Sequence, residues 1–296
     1  MLRFIHLFKK IIFFVFLLPT YLFSQDTIDT LKNWKMGSII SFNFSQVYFN
    51  DYWAAGGENS VAALGNYSGF ANFDKNNTTW ENKLELNYGI TKIEDQEAQK
   101  SDDKLFFSSQ VGIKESEHWL YSAFLSFESQ FDEGYKYYGD TAKDKISDFM
   151  APGYIIVSLG MDYKYDDVFT LFLSPVTEKT TFVLDDDMAA IGAFGVDKGK
   201  NVRFEVGGSL IASFKKEILE NVLLQTKLNL FSNYLENPGN IDVNFEMKLD
   251  MKINQWLSAN FILNAVYDDD VKLGNEGPKT QLKQLLGLAI NYKVGM

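Results

Sequence analysis

The 296-residue chain has no cysteine and only two histidines, His6 and His118. The first absence excludes disulfides and a cysteine-borne lipid anchor. The second narrows catalysis: a Ser/His/acid triad or an Asp/His dyad needs an imidazole. His6 falls in the N-terminal apolar segment, and His118, beside Glu117, reads as a solvated turn residue. No catalytic residue is assigned, and the chain is read as a non-enzyme.

Basic clusters are also missing. With a formal net charge of -11, the chain offers no phosphate-binding face, which excludes nucleic acid as a partner. Beyond the N-terminus no segment approaches the ~18 to 20 uninterrupted apolar residues of a membrane helix. If the chain crosses a membrane, strands must do it.

What is present is aromatic and apolar: 46% hydrophobic and 16% aromatic residues, enough for a large folded domain. Residues 1–24 read as a secretory signal, with Arg3, Lys9 and Lys10 ahead of the run Ile11 to Leu18 and Ser24 before the expected cut. A short segment, 25–33, follows, and 34–296 is expected to form one domain.

That domain is dominated by period-2 segments. In "NIDVNFEMKLDMKINQW", Ile241, Val243, Phe245, Met247, Leu249, Met251 and Ile253 alternate with Asp242, Asn244, Glu246, Lys248, Asp250 and Lys252. A helix would scatter these apolar side chains around its whole circumference, so the segment is a strand. About eleven others follow the scheme, among them Thr78 to Lys92, Trp119 to Phe131, Ile155 to Tyr165, Val202 to Phe214 and Leu282 to Val294. Phe169 to Leu173 is a shorter one. Linkers after even strands are brief, as at Asp74, Glu115, Asp166 and Asn254, with "KKEILEN" from Lys215 the longest. Those after odd strands are mostly long, such as "DEGYKYYGDTAKDKISDFMAPGY" and "TEKTTFVLDDDMAAIGAFGVDKGK". Short turns at one rim, long loops at the other and an even strand count describe an all-β, antiparallel, up-and-down transmembrane barrel of about 12 strands, with both termini periplasmic.

Trp34, Trp80, Trp119 and Trp256 each open an odd strand and are expected to form a periplasmic aromatic girdle. Twelve strands enclose more space than side chains fill, so the apolar face should meet lipid and the polar face line a lumen. The candidate lumen residues are Glu81, Lys83, Glu85, Glu128, Asp162, Lys164, Arg203, Glu205, Asp242, Glu246, Lys248, Asp250 and Lys252. Both signs are present and can pair across strands. Asp102-Asp103, Asp185 to Asp187 and Asp268 to Asp270 could offer oxygen ligands to a hard cation, but they lack the spacing of a fixed calcium loop and read as solvated. No metal or cofactor is assigned.

At "WAAGGEN" (Trp53 to Asn59), "LFLSPVTEKTTFV" (Leu171 to Val183), "FSNYLENPGNIDVNFE" (Phe231 to Glu246) and "YDDDV" (Tyr267 to Val271), the chain resembles an uncharacterised family of outer-membrane β-barrel proteins of Gram-negative bacteria. The resemblance runs from about Trp34 to the end. It implies an outer-membrane location, with membrane lipid and lipopolysaccharide as surroundings, and no substrate. The chain ends at Met296 rather than an aromatic, with Tyr292 the nearest. Tyr52, Trp53, Gly56, Gly57, Glu58 and Asn59 form a candidate loop that either plugs the lumen or contacts a partner. The expected role is a narrow channel for small polar solutes; the alternative is an accessory barrel of a larger outer-membrane complex for secretion or barrel assembly.

Overall fold

Twelve antiparallel strands close into a barrel in the computed structural model. The structure describes residues 33–50, 52, 58–94, 96–138, 142–268, 270 and 277–295, so the signal expected at 1–24 lies outside the described residues. The barrel belongs to the unit 35–296.

The strands are β1 (Trp34–Val47), β2 (Ser60–Lys75), β3 (Thr78–Ile93), β4 (Gln99–Lys114), β5 (Trp119–Ser129), β6 (Gly134–Tyr138), β7 (Ala142–Ser147), β8 (Gly153–Tyr165), β9 (Phe169–Phe182), β10 (Val202–Leu219), β11 (Val222–Asn233), β12 (Asp242–Lys252), β13 (Leu257–Tyr267) and β14 (Gln281–Val294). All but β6 and β7 build the barrel, each beside its neighbour in sequence, with β1 returning to β14 and β5 meeting β8.

The period-2 faces sort as their chemistry requires. Outward residues such as Leu159, Val176, Phe204 and Leu286 are exposed, which in water would be an unusually large apolar surface. Exposed aromatics band both rims: Trp80, Tyr121, Tyr165, Trp256 and Tyr292 at the short-turn rim, Tyr48, Tyr138 and Tyr234 at the other. A continuous apolar wall between aromatic bands is the surface a strand barrel presents to a bilayer.

At the short turns, Asn76 (φ 54°), Asp166 (φ 49°) and Asn221 (φ 63°) adopt the left-handed conformation, which Asn and Asp tolerate because their side chains bond locally. The β10–β11 connection is tighter than the expected linker from Lys215, since β10 continues to Leu219. On the other rim, β9 continues to Phe182 instead of giving way to loop at Thr177. The interruption that disguises it is a bulge. Register shifts on both sides of β9, between Leu159 and Met161 and between Gly207 and Ser209, accommodate Pro175, which has no N–H to give a ladder. Backbone approaches closely there. A Cβ on Gly160 would overlap the Leu173 carbonyl oxygen, and one on Gly207 that of Ser232 on β11.

The two longest loops are not structureless. The first contains the β6–β7 hairpin. The second contains a helix, α1 (Asp186–Ile191), and a short 3-10 turn, Ala193–Gly195. Asp185 caps α1, its carboxylate accepting from the Met188 N–H, and Gly192 (φ 75°) ends it. The Asp185 to Asp187 run therefore serves a helix start, where carboxylates complement the exposed N–H groups. Ala151, Val183, Met188, Ala189 and Val196 form a small buried core beneath this cap, with Phe194 against it. Lys145 of the hairpin reaches Asp185 at 2.5 Å, and the Leu184 N–H donates to the Met150 carbonyl (2.9 Å), which ties the two loops together.

Candidate functional site

Register assigns the inward face. Glu81, Lys83 and Glu85 of β3 stand opposite Gln110, Ser108 and Phe106 of β4, which stand opposite Phe124, Ser126 and Glu128 of β5. On the far wall, Asp242, Glu246, Lys248 and Asp250 of β12 share a face with Lys227 of β11 and Asn264 of β13.

Near the long-loop rim, Lys179 lies 2.9 Å from Asp242 and 3.6 Å from both Glu205 and Asp268. Arg203 contacts Asp270 (2.6 Å), Glu236 (3.3 Å) and Glu205 (3.4 Å) and donates to the Gly195 carbonyl at 3.3 Å. Two cations thus face five carboxylates. The mouth carries a negative field even with its pairs formed.

Halfway down, Lys83 pairs with Glu85 (2.6 Å), and Lys104 with Glu85 (3.6 Å) and Glu246 (3.4 Å). The ammonium groups of Lys104 and Lys227 each lie 5.1 Å from the Phe106 ring centre, within cation–π range. Lys104 is on the fourth barrel strand and Glu246 on the tenth, so this pair joins opposite walls. A round twelve-strand barrel would be about 24 Å across, from strands ~4.8 Å apart tilted ~40°. An extended lysine and glutamate span only roughly 15 Å between backbones. The cross-section is therefore flattened at this level.

Toward the short-turn rim, Lys164 pairs with Glu81 (2.5 Å), Lys248 with Asp250 (3.1 Å), and Gln225 donates to Asp250 (3.0 Å). Asp162, 3% exposed, accepts from the Ser122 hydroxyl (2.7 Å) and the Gln110 amide. Lys252 is exposed at the end of β12.

The interior has two unlike flanks. Along β5 and β8 to β10 it is packed: Ser122, Ser126, Ser158, Phe172, Thr177, Thr181 and Glu205 are buried. Thr177 contacts the hydroxyls of Ser158, Ser174 and Ser209 at 2.8 to 3.0 Å, and Phe124 lies against Phe172. Across the barrel the space is open: the side chains of Lys83, Lys248 and Lys283 are 47%, 44% and 44% exposed. The expectation that side chains cannot fill a twelve-strand interior is thus corrected for one flank. Flattening and the inward rings of Phe106, Phe124 and Phe172 fill it.

Trp34 and Trp119 begin β1 and β5. Trp80 is the third residue of β3 and donates to the Ser109 hydroxyl (2.8 Å); Trp256 lies in the turn before β13. His118 donates from Nδ1 to the Lys164 carbonyl (2.9 Å) and lies beside Tyr163 and Tyr165. Of the expected plug, Trp53, Gly56 and Gly57 lie outside the described residues. Tyr52 and Glu58 are exposed. Asn59 closes the loop base, accepting from the Phe49 N–H (2.6 Å) while its own N–H donates to Glu94 (3.2 Å). Among the described residues no group of His, Asp and Glu is arranged to hold a metal.

Residues 44–135 match a family described as a protein of unknown function (DUF3078). The match is narrower than the motifs suggested, running from late β1 into β6 and including Trp53 to Asn59 alone of the four motif stretches. No curated protein matches the chain. Among solved structures it is similar to the translocator domain of autotransporter NalP from Neisseria meningitidis (8% identity, 91% of this chain and 90% of that one, TM-score 0.39). It is also similar to outer membrane phospholipase A from Escherichia coli (10% identity, 91% and 95%, TM-score 0.33) and to the toluene transporter TodX of P. putida (9% identity, 92% and 80%, TM-score 0.33). At such identities the likeness concerns the fold alone.

Proposed function

We propose that the protein is a non-enzymatic barrel of the Gram-negative outer membrane, with termini and short turns periplasmic and long loops outside, that passes small polar solutes by a narrow route. The carrying observation is the open flank. Lys83, Lys248 and Lys283 are ion-paired to Glu85, Asp250 and Asp102 yet 44 to 47% exposed, so solvent reaches that side of the lumen, beside the cross-lumen pair Lys104–Glu246. The acidic excess at the mouth favours cations over anions.

Conductance of the refolded protein in a planar bilayer, under a salt gradient, tests this. Steady openings with a cation-selective reversal potential are expected, and Lys104→Ala should raise conductance roughly twofold or more by removing the constriction. A folded but silent barrel would sink the channel reading.

The second reading, an accessory barrel of an outer-membrane complex, draws support from the folded cap, since a built surface on loops is what a partner protein would use. Tyr52, Trp53, Gly56, Gly57, Glu58 and Asn59 belong to that reading as a partner loop, and to the first as a plug. Crosslinking from Tyr52 separates them: to another outer-membrane protein in one case, to lumen residues in the other.

A further inference from the structure

The joint between the first and last strands is short. β1 is in register with β14 over six residues, Ser38–Asn43 against Ala289–Val294. β2 and β3 match over sixteen pairs, and β13 and β14 over ten. The six lie toward the short-turn rim. Above them β14 continues to Gln281, laddered to β13 on one side and, among the described residues, to nothing on the other. β1 runs on to Val47 without joining it.

Leu282 and Leu286 on the outer face are 68% and 75% exposed and Phe44 60%, the same outward exposure that Phe42 (62%) and Tyr292 (68%) have in the paired part. The free edge is eight residues long, roughly 27 Å at the rise of an antiparallel strand. Alternate residues aim their N–H and C=O groups along it, about four of each. Hydrocarbon leaves no such group a partner, so an edge at that depth must be satisfied by protein or water.

We propose that the Gln281–Leu288 edge of β14 accepts an extended amphipathic strand from another polypeptide, antiparallel to β14, with an apolar residue at every second position. Continuity with the existing ladder fixes the direction. The flanking side chains fix the pattern: apolar outward beside Leu282 and Leu286, polar inward beside Lys283. A second copy is the poorer fit: in one membrane its β14 runs the same way and cannot complete an antiparallel ladder, and its β1, though antiparallel, has only Phe44–Val47 beyond its own joint to set against an eight-residue edge. The proposal rests on the membrane-barrel reading but not on conduction.

Engineered cysteines in the full chain, reconstituted in lipid vesicles, test it against a cysteine-free background. Phe42→Cys with Ile290→Cys, in register, should form a disulfide readily. Phe44→Cys with Leu288→Cys, one step up the same face, should form it at least about tenfold more slowly. Leu286→Cys alone should couple to a synthetic eight-residue peptide of alternating leucine and serine carrying one cysteine. Coupling should fall about tenfold when the same residues are placed out of alternation. Equal closure of both pairs would mean that β1 seals the seam itself, and overturns the proposal. So do faster coupling of Leu286→Cys to a second copy than to the peptide, and equal coupling of the two peptides, which marks only an exposed thiol. Failure of the Phe42–Ile290 pair removes the closed barrel itself, whereas a silent bilayer with these results intact removes only the channel.

Discussion

The flank of β5 and β8 to β10 and the flank that carries Lys83 of β3, Lys248 of β12 and Lys283 of β14 face each other across one lumen and solve opposite problems. In the first, hydroxyls and carboxylates are withdrawn from water and must find partners among themselves. Thr177 does so with three hydroxyls, Asp162 with Ser122 and Gln110, and Glu205, 2% exposed, with Lys179 and Arg203. In the second, Lys248 and Asp250 pair at a similar distance but remain wet. Removing a buried group leaves its partner unsatisfied, whereas water replaces the partner of an exposed one.

The sharpest way to break the contrast is Lys179→Met. It leaves Glu205, Asp242 and Asp268 without their shared cation, and unfolding in detergent should show a loss of about 3 to 5 kcal/mol. Next, Thr177→Val removes the hydroxyl at the centre of the knot at nearly constant volume and should cost about 1 to 3 kcal/mol. On the opposite flank, Lys248→Gln should stay within about 0.5 kcal/mol in the same measurement. A penalty there equal to that of Thr177→Val would mean that the two flanks do not differ.

The smallest effect concerns the cap. The Lys145 ammonium beside Asp185 holds that carboxyl below the ordinary aspartate range, with the Met188 N–H helping. The same contact raises Lys145. A depressed carboxyl stabilises above its unfolded value and loses that contribution as pH falls through the folded one. The tie between the loops should therefore persist at pH about 4, near the unfolded aspartate value, and weaken only below it. Limited proteolysis of the 130–152 loop as a function of pH reads this, and Lys145→Gln should move the onset of cleavage to higher pH.

The strands were legible because alternation is a local property: Glu81, Lys83 and Glu85 reveal a face without reference to any other segment. The hairpin of β6 and β7 was not, since five- and six-residue strands inside a charged loop give alternation too little length to stand out. The upper half of β9 was hidden by Pro175, which ends a strand in most contexts and marks a bulge in this one. For the site, the kind of residue lining the lumen was readable and the division into flanks was not. Phe106, Phe124 and Phe172 are inward aromatics on strands whose outward face is also apolar, so composition alone assigns them to neither side. The tie from Lys104 to Glu246 joins residues 142 apart in sequence, beyond any local pattern.

That tie separates two quantities usually taken together in a barrel. The number of strands fixes the perimeter of the wall, but a chord drawn between opposite points fixes how much area the perimeter encloses. With Lys104–Glu246 (3.4 Å) and Lys283–Asp102 (2.7 Å) both drawn across the interior, the free area of this lumen is set by a few side chains rather than by twelve strands. Lateral stretching of the surrounding bilayer would load those pairs as well as the wall.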